Sequence, residues 1–390
     1  MTRHTLVMAS FLLETHVMGA GPTGCMVALA LAQQNQRVVL FDPQAFDALT
    51  SRSRAYAITH SSCQLLQKLG LWGAVAPHCH PFDRLELLDL GSRSRTAFAV
   101  RDAVGWIVEH QALQKQLLQA CNDQSGLQLS LGEEASIDSD RDQLTVIAEG
   151  GGSPSRLDLG IGFPGFRYRR GCLTALVQLD RQCSPTTAWE VFRPEGPLAV
   201  LPLGKGRTQV VWSAPQQECE QRTNLSDETF LEQLNNALPS EVTAIGLHDQ
   251  PAWFPVEWRI ASRLGRGTTL LCGESAHRCH PVGGQGLNLC WRDVETLARL
   301  ASDRHCDARS LVRRYSRRRW LDLLGVLLAT DGLVRLFSNR NQLLIALRRW
   351  GISLLNYCAP LRRWSLNLAT YGPKGILLTT GWQQLNNQRS

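Results

Sequence analysis

The sequence predicts an α/β fold in which a Rossmann-like domain carries an inserted domain of mostly β-sheet and is followed by C-terminal helices. Three observations predict this architecture. A strand, a glycine-rich turn, a helix and a second strand follow one another over residues 16–44. A further strand, glycine loop and helix come at residues 268–302, far along the chain. The segment between them holds short apolar runs that are rich in β-branched residues and separated by glycine or proline.

The domain organisation follows from where these patterns lie. At 390 residues the chain is long enough for a sizeable core and for two domains. We expect the Rossmann-like domain to occupy residues 1–156 and 261–300, the inserted domain 157–260, and a basic helical region 301–390. With 44% hydrophobic and 19% charged residues, the composition excludes a disordered chain.

The cysteines and the N-terminal residues indicate a cytoplasmic protein. The 12 cysteines are scattered singly without a Cys-x-x-Cys pair, which is unlike a disulfide framework. The apolar run at residues 5–13 is followed at once by Glu14 and His16, with no cleavage site of small residues, so it does not resemble a secretory signal. No uncharged apolar run reaches the roughly 18 to 20 residues that a membrane-spanning helix needs.

The first glycine motif has the spacing of a dinucleotide-binding turn. Gly19 permits the tight turn, Gly21 lets the backbone approach a pyrophosphate, and Gly24 lets the helix pack on the strand. Asp42, at the end of the second strand, is placed to accept hydrogen bonds from the two ribose hydroxyls. A plain glycine-rich turn is the alternative, and the spacing alone does not separate FAD from NAD.

The loop at residues 273–293 could serve a metal or a large polar cofactor. Zinc could be held by three side chains: His277, Cys279 and His280. Zinc would also require a fourth ligand in a closed cage, so we expect His277 and His280 to shape the loop through hydrogen bonds to backbone.

FAD explains both glycine motifs better than NAD does. FAD is long enough to be held at its two ends by two units that are far apart in the sequence. Gly283, Gly284 and Gly286 would let backbone amides lie against the flavin, and we expect Gly286 to need a positive φ. Arg54 could make a bidentate contact with the pyrophosphate; a solvated surface arginine is the alternative.

With these motifs the chain resembles the FAD-dependent aromatic hydroxylases, and within them the ubiquinone-biosynthesis hydroxylases that act on polyprenylated phenols. The family's motifs stand here in order. They are GAGPTG at 19–24, AEGGGSPSR at 148–156, GPLAVLPL at 196–203, VVWS at 210–213, GESAHRCHPVGGQGLNLCWRD at 273–293 and YSRRRWLDLLGVLLATDGLVRLF at 315–337. The resemblance covers nearly the whole chain.

The resemblance implies an FAD enzyme that hydroxylates a polyprenylated phenol with NAD(P)H and molecular oxygen, through a flavin C4a-hydroperoxide. The flavin carries the chemistry, so no catalytic side chain is singled out. Residues expected at the cofactor, from the motifs and the resemblance together, are Gly19, Gly21, Gly24, Asp42, Arg54, Glu149, Glu274, Pro281, Gly284, Gly286, Leu287 and Asn288.

Three departures from the family pattern keep two alternatives open. Glu149 and Glu274 stand where the family usually has Asp, and the segment between Leu113 and Ala148 is shorter than the family's usual segment. His110 and Gln111 stand where relatives often place an Arg or Gln near the cofactor. The alternatives are another flavin-dependent oxidoreductase of lipid-like substrates, and a non-catalytic FAD-binding subunit that assembles with other quinone-biosynthesis proteins.

The inserted domain is expected to hold the substrate. Its candidate strands are TALVQL at 174–179, LAVLPL at 198–203 and TQVVWS at 208–213. Trp189, Phe192 and Trp212 could line the substrate pocket, although each is more readily explained as a core residue.

The last segment predicts peripheral membrane association. Residues 301–390 hold 15 Arg or Lys against four Asp. The clustered arginines lie beside leucine and tryptophan, a pattern typical of a helix in an anionic membrane interface: Arg313, Arg314, Arg317, Arg318, Arg319, Arg348, Arg349, Arg362 and Arg363. A solvated helix face is the alternative. Nucleic acid is not expected, because aromatic residues are not interleaved as a single-strand platform requires.

Overall fold

A computed structural model describes residues 14–133, 143–303 and 306–372. The strands are β1 Glu14–Met18, β2 Arg37–Asp42, β3 Ala55–Ile58, β4 Cys79–Phe82, β5 Arg84–Asp89, β6 Ser94–Ala99, β7 Gly105–Glu109, β8 Leu127–Leu131, β9 Leu144–Ile147, β10 Gly165–Leu179, β11 Thr187–Phe192, β12 Leu198–Gly204, β13 Arg207–Pro215, β14 Ala244–Leu247, β15 Ala252–Ile260, β16 Gly265–Arg266, β17 Thr269–Leu271 and β18 His277–Arg278. The helices are α1 Pro22–Ala32, α2 Phe46–Thr50, α3 His60–Lys68, α4 Trp72–Val75, α5 His110–Asp123, α6 Pro154–Asp158, α7 Gln216–Arg222, α8 Asp227–Asn235, α9 Gln285–Ala301, α10 Ala308–Phe337, α11 Gln342–Tyr357 and α12 Ala359–Tyr371.

The first sheet confirms the predicted α/β fold. Its strand order is β16-β17-β9-β1-β2-β8, and β1 pairs in parallel with both β2 and β9. Nearly every residue of α1 is buried, because the helix lies between α5 and α9. Apolar residues can therefore run almost continuously through α1 and the central strands. The carboxyl ends of these parallel strands form the edge where such folds bind ligands.

The inserted sheet has nine strands. Eight of the strands follow the order β18-β15-β10-β13-β12-β11-β5-β6. The ninth strand, β14, pairs antiparallel with β10. The runs predicted as strands at 174–179, 198–203 and 208–213 lie in β10, β12 and β13. β5 and β6 also join this sheet, although the sequence-based bounds place them in the first segment.

The two faces of this sheet have different partners. Trp189 and Val191 of β11 belong to a buried cluster with Trp212 and with Phe230 of α8. Phe192 points to the opposite side, because side chains alternate along a strand, and it packs with Val282 of the second glycine loop. Trp189 and Trp212 are therefore core residues, whereas Phe192 lies beside the loop.

The C-terminal helices pack along the rest of the molecule. α10 lies against α9, α11 against β6, and α12 against α3. None of the helices in the described ranges is long and apolar enough to cross a membrane. Two arginines that the sequence pattern places on a surface face are buried instead: Arg319 is 1% exposed and Arg348 is 0% exposed.

Two sequence-based expectations fall partly outside the described residues. The apolar run at 5–13 lies before the first described residue. The short segment between Leu113 and Ala148 includes residues 134–142, which are also not described.

Candidate functional site

The first glycine loop, between β1 and α1, has three glycines with three separate physical reasons. Gly19 has a φ of +101°, and a Cβ there would lie 2.6 Å from the carbonyl oxygen of Ala148. A Cβ on Gly24 would lie 1.7 Å from the carbonyl oxygen of Gly19, so the helix can approach the strand only without a side chain. A Cβ on Gly21 would meet nothing within 4 Å. The space over Gly21 is therefore open, which leaves room for a ligand there.

The N-terminus of α1 faces this open space with its amides free of a side-chain cap. Gly21 is the N-cap residue and has no side chain that could accept from the first turn. Such a helix terminus favours phosphate through its free N–H groups and its dipole. The loop thus fits a pyrophosphate.

Gln114 of α5 supports the same loop, and sequence reasoning missed it. Its Nε2 donates to the carbonyl oxygen of Ala20 at 2.6 Å, and its buried Oε1 has no hydrogen-bond partner in the structure. A hint was present in the sequence, since Gln114 follows His110 by one helical turn and shares its buried face. A buried acceptor that no described residue satisfies could accept a hydrogen bond from a ligand bound at the loop.

Asp42 ends β2 beside the glycine loop. Its Oδ2 accepts from the backbone N–H of Ala20 at 2.7 Å, and its Oδ1 accepts from that of Gln44 at 2.8 Å. Each carboxylate oxygen can accept more than one hydrogen bond, so both remain available to hydroxyl groups. The position fits the ribose role predicted for Asp42.

Arg54 and Tyr56 lie at the start of β3, Arg54 just before the strand and Tyr56 within it. Arg54 is exposed, and its guanidinium carbon is 5.0 Å from the centre of the Tyr56 ring. The Tyr56 hydroxyl is 2.9 Å from Nδ1 of His110. Burial raises the pKa of Tyr56 to about 12 and lowers the pKa of His110 to about 4, so both are neutral at pH 7. Arg54 is therefore the cation of this group.

The two glutamates of the later motifs have different surroundings. Glu274 is exposed, makes no hydrogen bond or ion pair with the described residues, and is close enough to Tyr56 to raise the pKa of Tyr56. Glu149 instead accepts from the hydroxyls of Ser153 at 2.7 Å and Ser155 at 2.5 Å, which lie at the start of α6. Glu274 is thus free to meet a ligand, whereas the bonds of Glu149 are to its own loop.

The second glycine loop turns through two left-handed residues before α9. Gly283 has a φ of 67° and Gly284 a φ of 63°, and a Cβ on Gly284 would lie 2.9 Å from the Cβ of Ala57. Gly286 lies in the first turn of α9 with no positive φ, so the expectation of a left-handed Gly286 is wrong. Its Cβ would meet nothing within 4 Å, which leaves open space there as well.

Asn288 holds this loop in place. Its Oδ1 accepts from the Ser62 hydroxyl at 2.6 Å and from Thr59, and its Nδ2 donates to the carbonyl oxygens of Ala57 and Gly284, both at 2.7 Å. These bonds use its amide fully. Its role is to join α9 to β3 and α3. Of the other predicted residues, Pro281 starts the turn and Leu287 packs against the main core.

His277 belongs to a buried network of hydrogen bonds and ion pairs, and this network explains the residue without zinc. Nε2 of His277 is 2.8 Å from Oδ2 of Asp293, which also accepts from the backbone N–H of Gly273 at 2.8 Å. Arg319 donates to the other oxygen of Asp293 at 2.6 Å. The main partner of His277 is therefore a carboxylate and not backbone. His280 does bond to backbone, as its Nδ1 accepts from Val282.

Comparison with known proteins agrees with this geometry. The chain matches the family model described as an FAD binding domain over residues 13–147 and 128–320. It is 30% identical over 397 residues to 3-demethoxyubiquinol 3-hydroxylase of Escherichia coli K12, covering 91% of this chain and 98% of that protein. It is 28% identical to ubiquinone hydroxylase UbiL of Rhodospirillum rubrum, covering 89% and 87%.

Solved structures show the same fold. Among them, p-nitrophenol 4-monooxygenase PnpA from Pseudomonas putida DLL-E4 superposes with a TM-score of 0.75 at 18% sequence identity, covering 91% of this chain and 96% of that one. The open space over Gly21, the uncapped α1 terminus, the Asp42 carboxylate and the free Glu274 together fit FAD. The chain therefore belongs to the FAD-binding domain family, as an FAD-dependent aromatic hydroxylase.

Proposed function

We propose that this enzyme hydroxylates the ring of a polyprenylated phenol in the biosynthesis of a ubiquinone-type quinone, with NAD(P)H and molecular oxygen as co-substrates. The observation that carries the proposal is an apolar, half-exposed face of the inserted sheet opposite the second glycine loop. The similarity to two ubiquinone hydroxylases over most of their lengths supports it.

The apolar face is formed by one row of residues across neighbouring strands. The register joins Leu87 of β5 to Glu190 of β11, Glu190 to Ala199 of β12, and Ala199 to Val211 of β13. Leu87, Ala199 and Val211 are all only half-buried. Half-exposed apolar side chains on a sheet face that is turned toward the second glycine loop suit a ligand with a ring and a hydrocarbon tail.

The protein's own groups bind and orient the cofactor and the ring. The α1 terminus and Arg54 would hold the pyrophosphate, Asp42 the ribose, and the loop at 281–288 the flavin. When bound, FAD would supply the redox chemistry, with NAD(P)H as the electron donor and molecular oxygen as the oxidant. The apolar sheet face would keep water away from that reaction.

We also infer that the enzyme works at an anionic membrane surface, as a peripheral cytoplasmic protein. α11 presents a stripe of apolar side chains with alternating four- and three-residue spacing, and their exposures are Leu343 81%, Leu347 51%, Trp350 64%, Leu354 36% and Tyr357 91%. The opposite side of α11 holds the buried Arg348 and Ile352. An amphipathic helix with its apolar face outward is typical of a membrane interface, where a polyprenylated substrate dissolves.

The hydroxylase proposal is tested with purified, FAD-loaded protein and a short-chain prenylated phenol. We expect NAD(P)H oxidation to accelerate when the phenol is added, and the phenol to gain one oxygen atom derived from isotopically labelled dioxygen. Mass spectrometry measures the product, and a peroxide assay measures uncoupled turnover. NAD(P)H oxidation that yields only peroxide with every prenylated phenol would contradict the proposal.

A further inference from the structure

One carboxylate lies on the face of the inserted sheet that is turned toward the second glycine loop. β11 alternates its side chains: Trp189 and Val191 enter the cluster under α8, whereas Phe192 packs with Val282 of the loop on the other side. Glu190 shares the side of Phe192. It is 8% exposed.

The surroundings of Glu190 are apolar. Its cross-strand neighbours are Leu87 and Ala199, and Val211 lies next in the same row. A carboxylate in such surroundings is costly unless it is paired, and no ion pair of Glu190 is present among the described residues. The backbone N–H of Gly283, in the loop expected at the flavin, lies close enough to Glu190 to lower the pKa of its carboxyl.

Among the ionisable groups on this face that are compared below, Glu190 is the one whose charge changes near pH 7. Burial raises the pKa of Glu190 to about 7, although the Gly283 N–H lowers it. Burial raises the pKa of the Cys172 thiol to about 12 and lowers the pKa of His280 to about 3, so both are neutral near pH 7. Asp89, which is two residues from Leu87 on β5, is paired with Arg348 at 3.2 Å.

We propose that Glu190 receives the hydroxyl of the substrate's phenol ring and takes its proton. The inference rests on the proposed function and names a residue for it. The phenol O–H bond breaks, a carboxylate O–H bond forms, and the electron pair stays on the ring oxygen. The ring becomes more electron-rich and is better attacked by electrophilic oxygen. When the oxidised ring carbon later loses its hydrogen as a proton to water, Glu190 returns its own proton to the ring oxygen, and the product is a neutral hydroxylated phenol.

The competing explanation is that Glu190 only holds the loop through Gly283. Glu190→Gln separates the two, because the amide has nearly the same size and its oxygen can still accept from Gly283. It cannot act as a base. Glu190→Asp keeps the charge on a shorter side chain, so it should restore part of the function if the carboxylate matters.

Binding of a phenol and of its methyl ether tests the proposal without turnover. The probes are 2-geranylphenol and 2-geranylanisole, titrated into the oxidised holoenzyme and followed by the change in flavin absorbance. We expect wild type to bind the phenol about tenfold more tightly at about pH 8 than at about pH 6, because the charged acceptor has then formed. The ether cannot donate, so its affinity should fall over the same range.

The variants decide the outcome. We expect Glu190→Gln to retain FAD and to bind both probes without this pH dependence, and Glu190→Asp to recover it in part. A wild-type pH dependence that survives in Glu190→Gln would overturn the proposal, and so would loss of FAD from Glu190→Gln with no recovery in Glu190→Asp. A wild type that shows the expected binding but forms no hydroxylated product would reject the proposed function and leave the role of Glu190 in binding standing.

Discussion

At the residue scale, we expect an added side chain to have opposite effects on apoprotein stability at Gly24 and at Gly286. Both glycines lie in the first turn of a helix at the cofactor site. A Cβ on Gly24 would overlap the Gly19 carbonyl oxygen at 1.7 Å, whereas one on Gly286 meets no protein atom within 4 Å. We expect Gly24→Ala to destabilise even the apoprotein, by about 2 to 3 kcal/mol, and to weaken FAD binding. Denaturant unfolding of the apoprotein and FAD titration measure the two effects.

Gly286→Ala is the matched control for that variant. Because alanine favours a helix, the apoprotein should be as stable as wild type or more stable by about 0.5 kcal/mol. FAD affinity should nevertheless fall, since the new methyl group enters the space expected for the flavin. Unchanged FAD affinity in Gly286→Ala would show that the cofactor does not lie over this position.

The buried Glu190 predicts an unusual pH dependence of stability. Burial raises the pKa of Glu190 from its usual 4.5 to about 7, so the protonated form is favoured in the fold. Its favourable contribution is fully present below about pH 4.5 and is lost as the pH rises through about 7. We expect Glu190→Gln to be more stable than wild type above pH 7, by about 3 kcal/mol, and equal to it below about pH 4.5. Denaturant unfolding at both pH values checks this, and a wild type more stable than the variant at high pH contradicts it.

Sequence reasoning found residues whose role is local and missed those whose role depends on distant packing. Gly19, Gly24 and Asp42 act within one strand-helix-strand unit, so their spacing is informative by itself. Gln114 meets the glycine loop from a helix 94 residues away in sequence. Glu190 becomes notable only when strand pairing places it opposite Gly283, a contact that no sequence spacing encodes.

At the element scale, Asp293 joins the second glycine loop to two helices. Its carboxylate is fully buried on α9 and bonds His277, Gly273 and Arg319 of α10. Removing one partner of a buried ion pair leaves an unpaired charge and typically costs about 3 to 5 kcal/mol. We expect Asp293→Asn to lose stability in that range and to weaken FAD binding, because Gly273 precedes Glu274.

The control for Asp293 lies two residues along the same helix. Glu295 pairs with Lys68 at the surface, and both side chains are largely exposed, so Glu295→Gln should cost at most about 1 kcal/mol.

Burial alone would raise the pKa of Asp293, but Arg319 and His277 hold it below its usual value. The stabilisation from Asp293 is therefore present above about pH 4 and is lost in stronger acid, where wild type and Asp293→Asn should converge. A constant difference in unfolding free energy down to acid pH would contradict this role.

The predicted elements were those with a strong local pattern. The strand-helix-strand unit at β1, α1 and β2 is confirmed, and so are the three runs predicted as strands of the inserted sheet. The membership of β5 and β6 in that sheet could not be predicted, because β5 pairs in parallel with β11 about a hundred residues later. Long-range pairing depends on the shape of the assembled core and not on the strand's own residues.

At the scale of the whole molecule, the arginines that contribute to the net charge of +7 have two different roles. Arg319 and Arg348 are buried and neutralise carboxylates that tie α10 and α11 to the body of the protein. Arg313, Arg317 and Arg318 stay exposed on α10. Counting arginines in the sequence overestimates the charge available to a membrane, because it does not separate these roles.

The apolar stripe of α11 and the exposed arginines of α10 should contribute differently to membrane binding. Apolar insertion through α11 should act on any bilayer, whereas exposed arginines should act only on an anionic one, at about 1 kcal/mol each. We expect Leu347→Ser with Trp350→Ser to reduce liposome binding on neutral and anionic lipid alike. Replacing Arg313, Arg317 and Arg318 by Gln should reduce binding to anionic liposomes only, and less so at high salt.

Liposome flotation at low and high salt measures these effects, with Leu157→Ser as the control because Leu157 is 65% exposed and lies on α6, outside the C-terminal helices. Arg319 must be left in place, since its loss would unpair the buried Asp293 and confound binding with unfolding. Binding that survives both sets of substitutions would contradict a membrane role for these helices. A different outcome is that the α11 variant dissociates a dimer in analytical ultracentrifugation and leaves flotation unchanged. The apolar stripe of α11 would then be an interface with a second copy of the chain and not with a membrane.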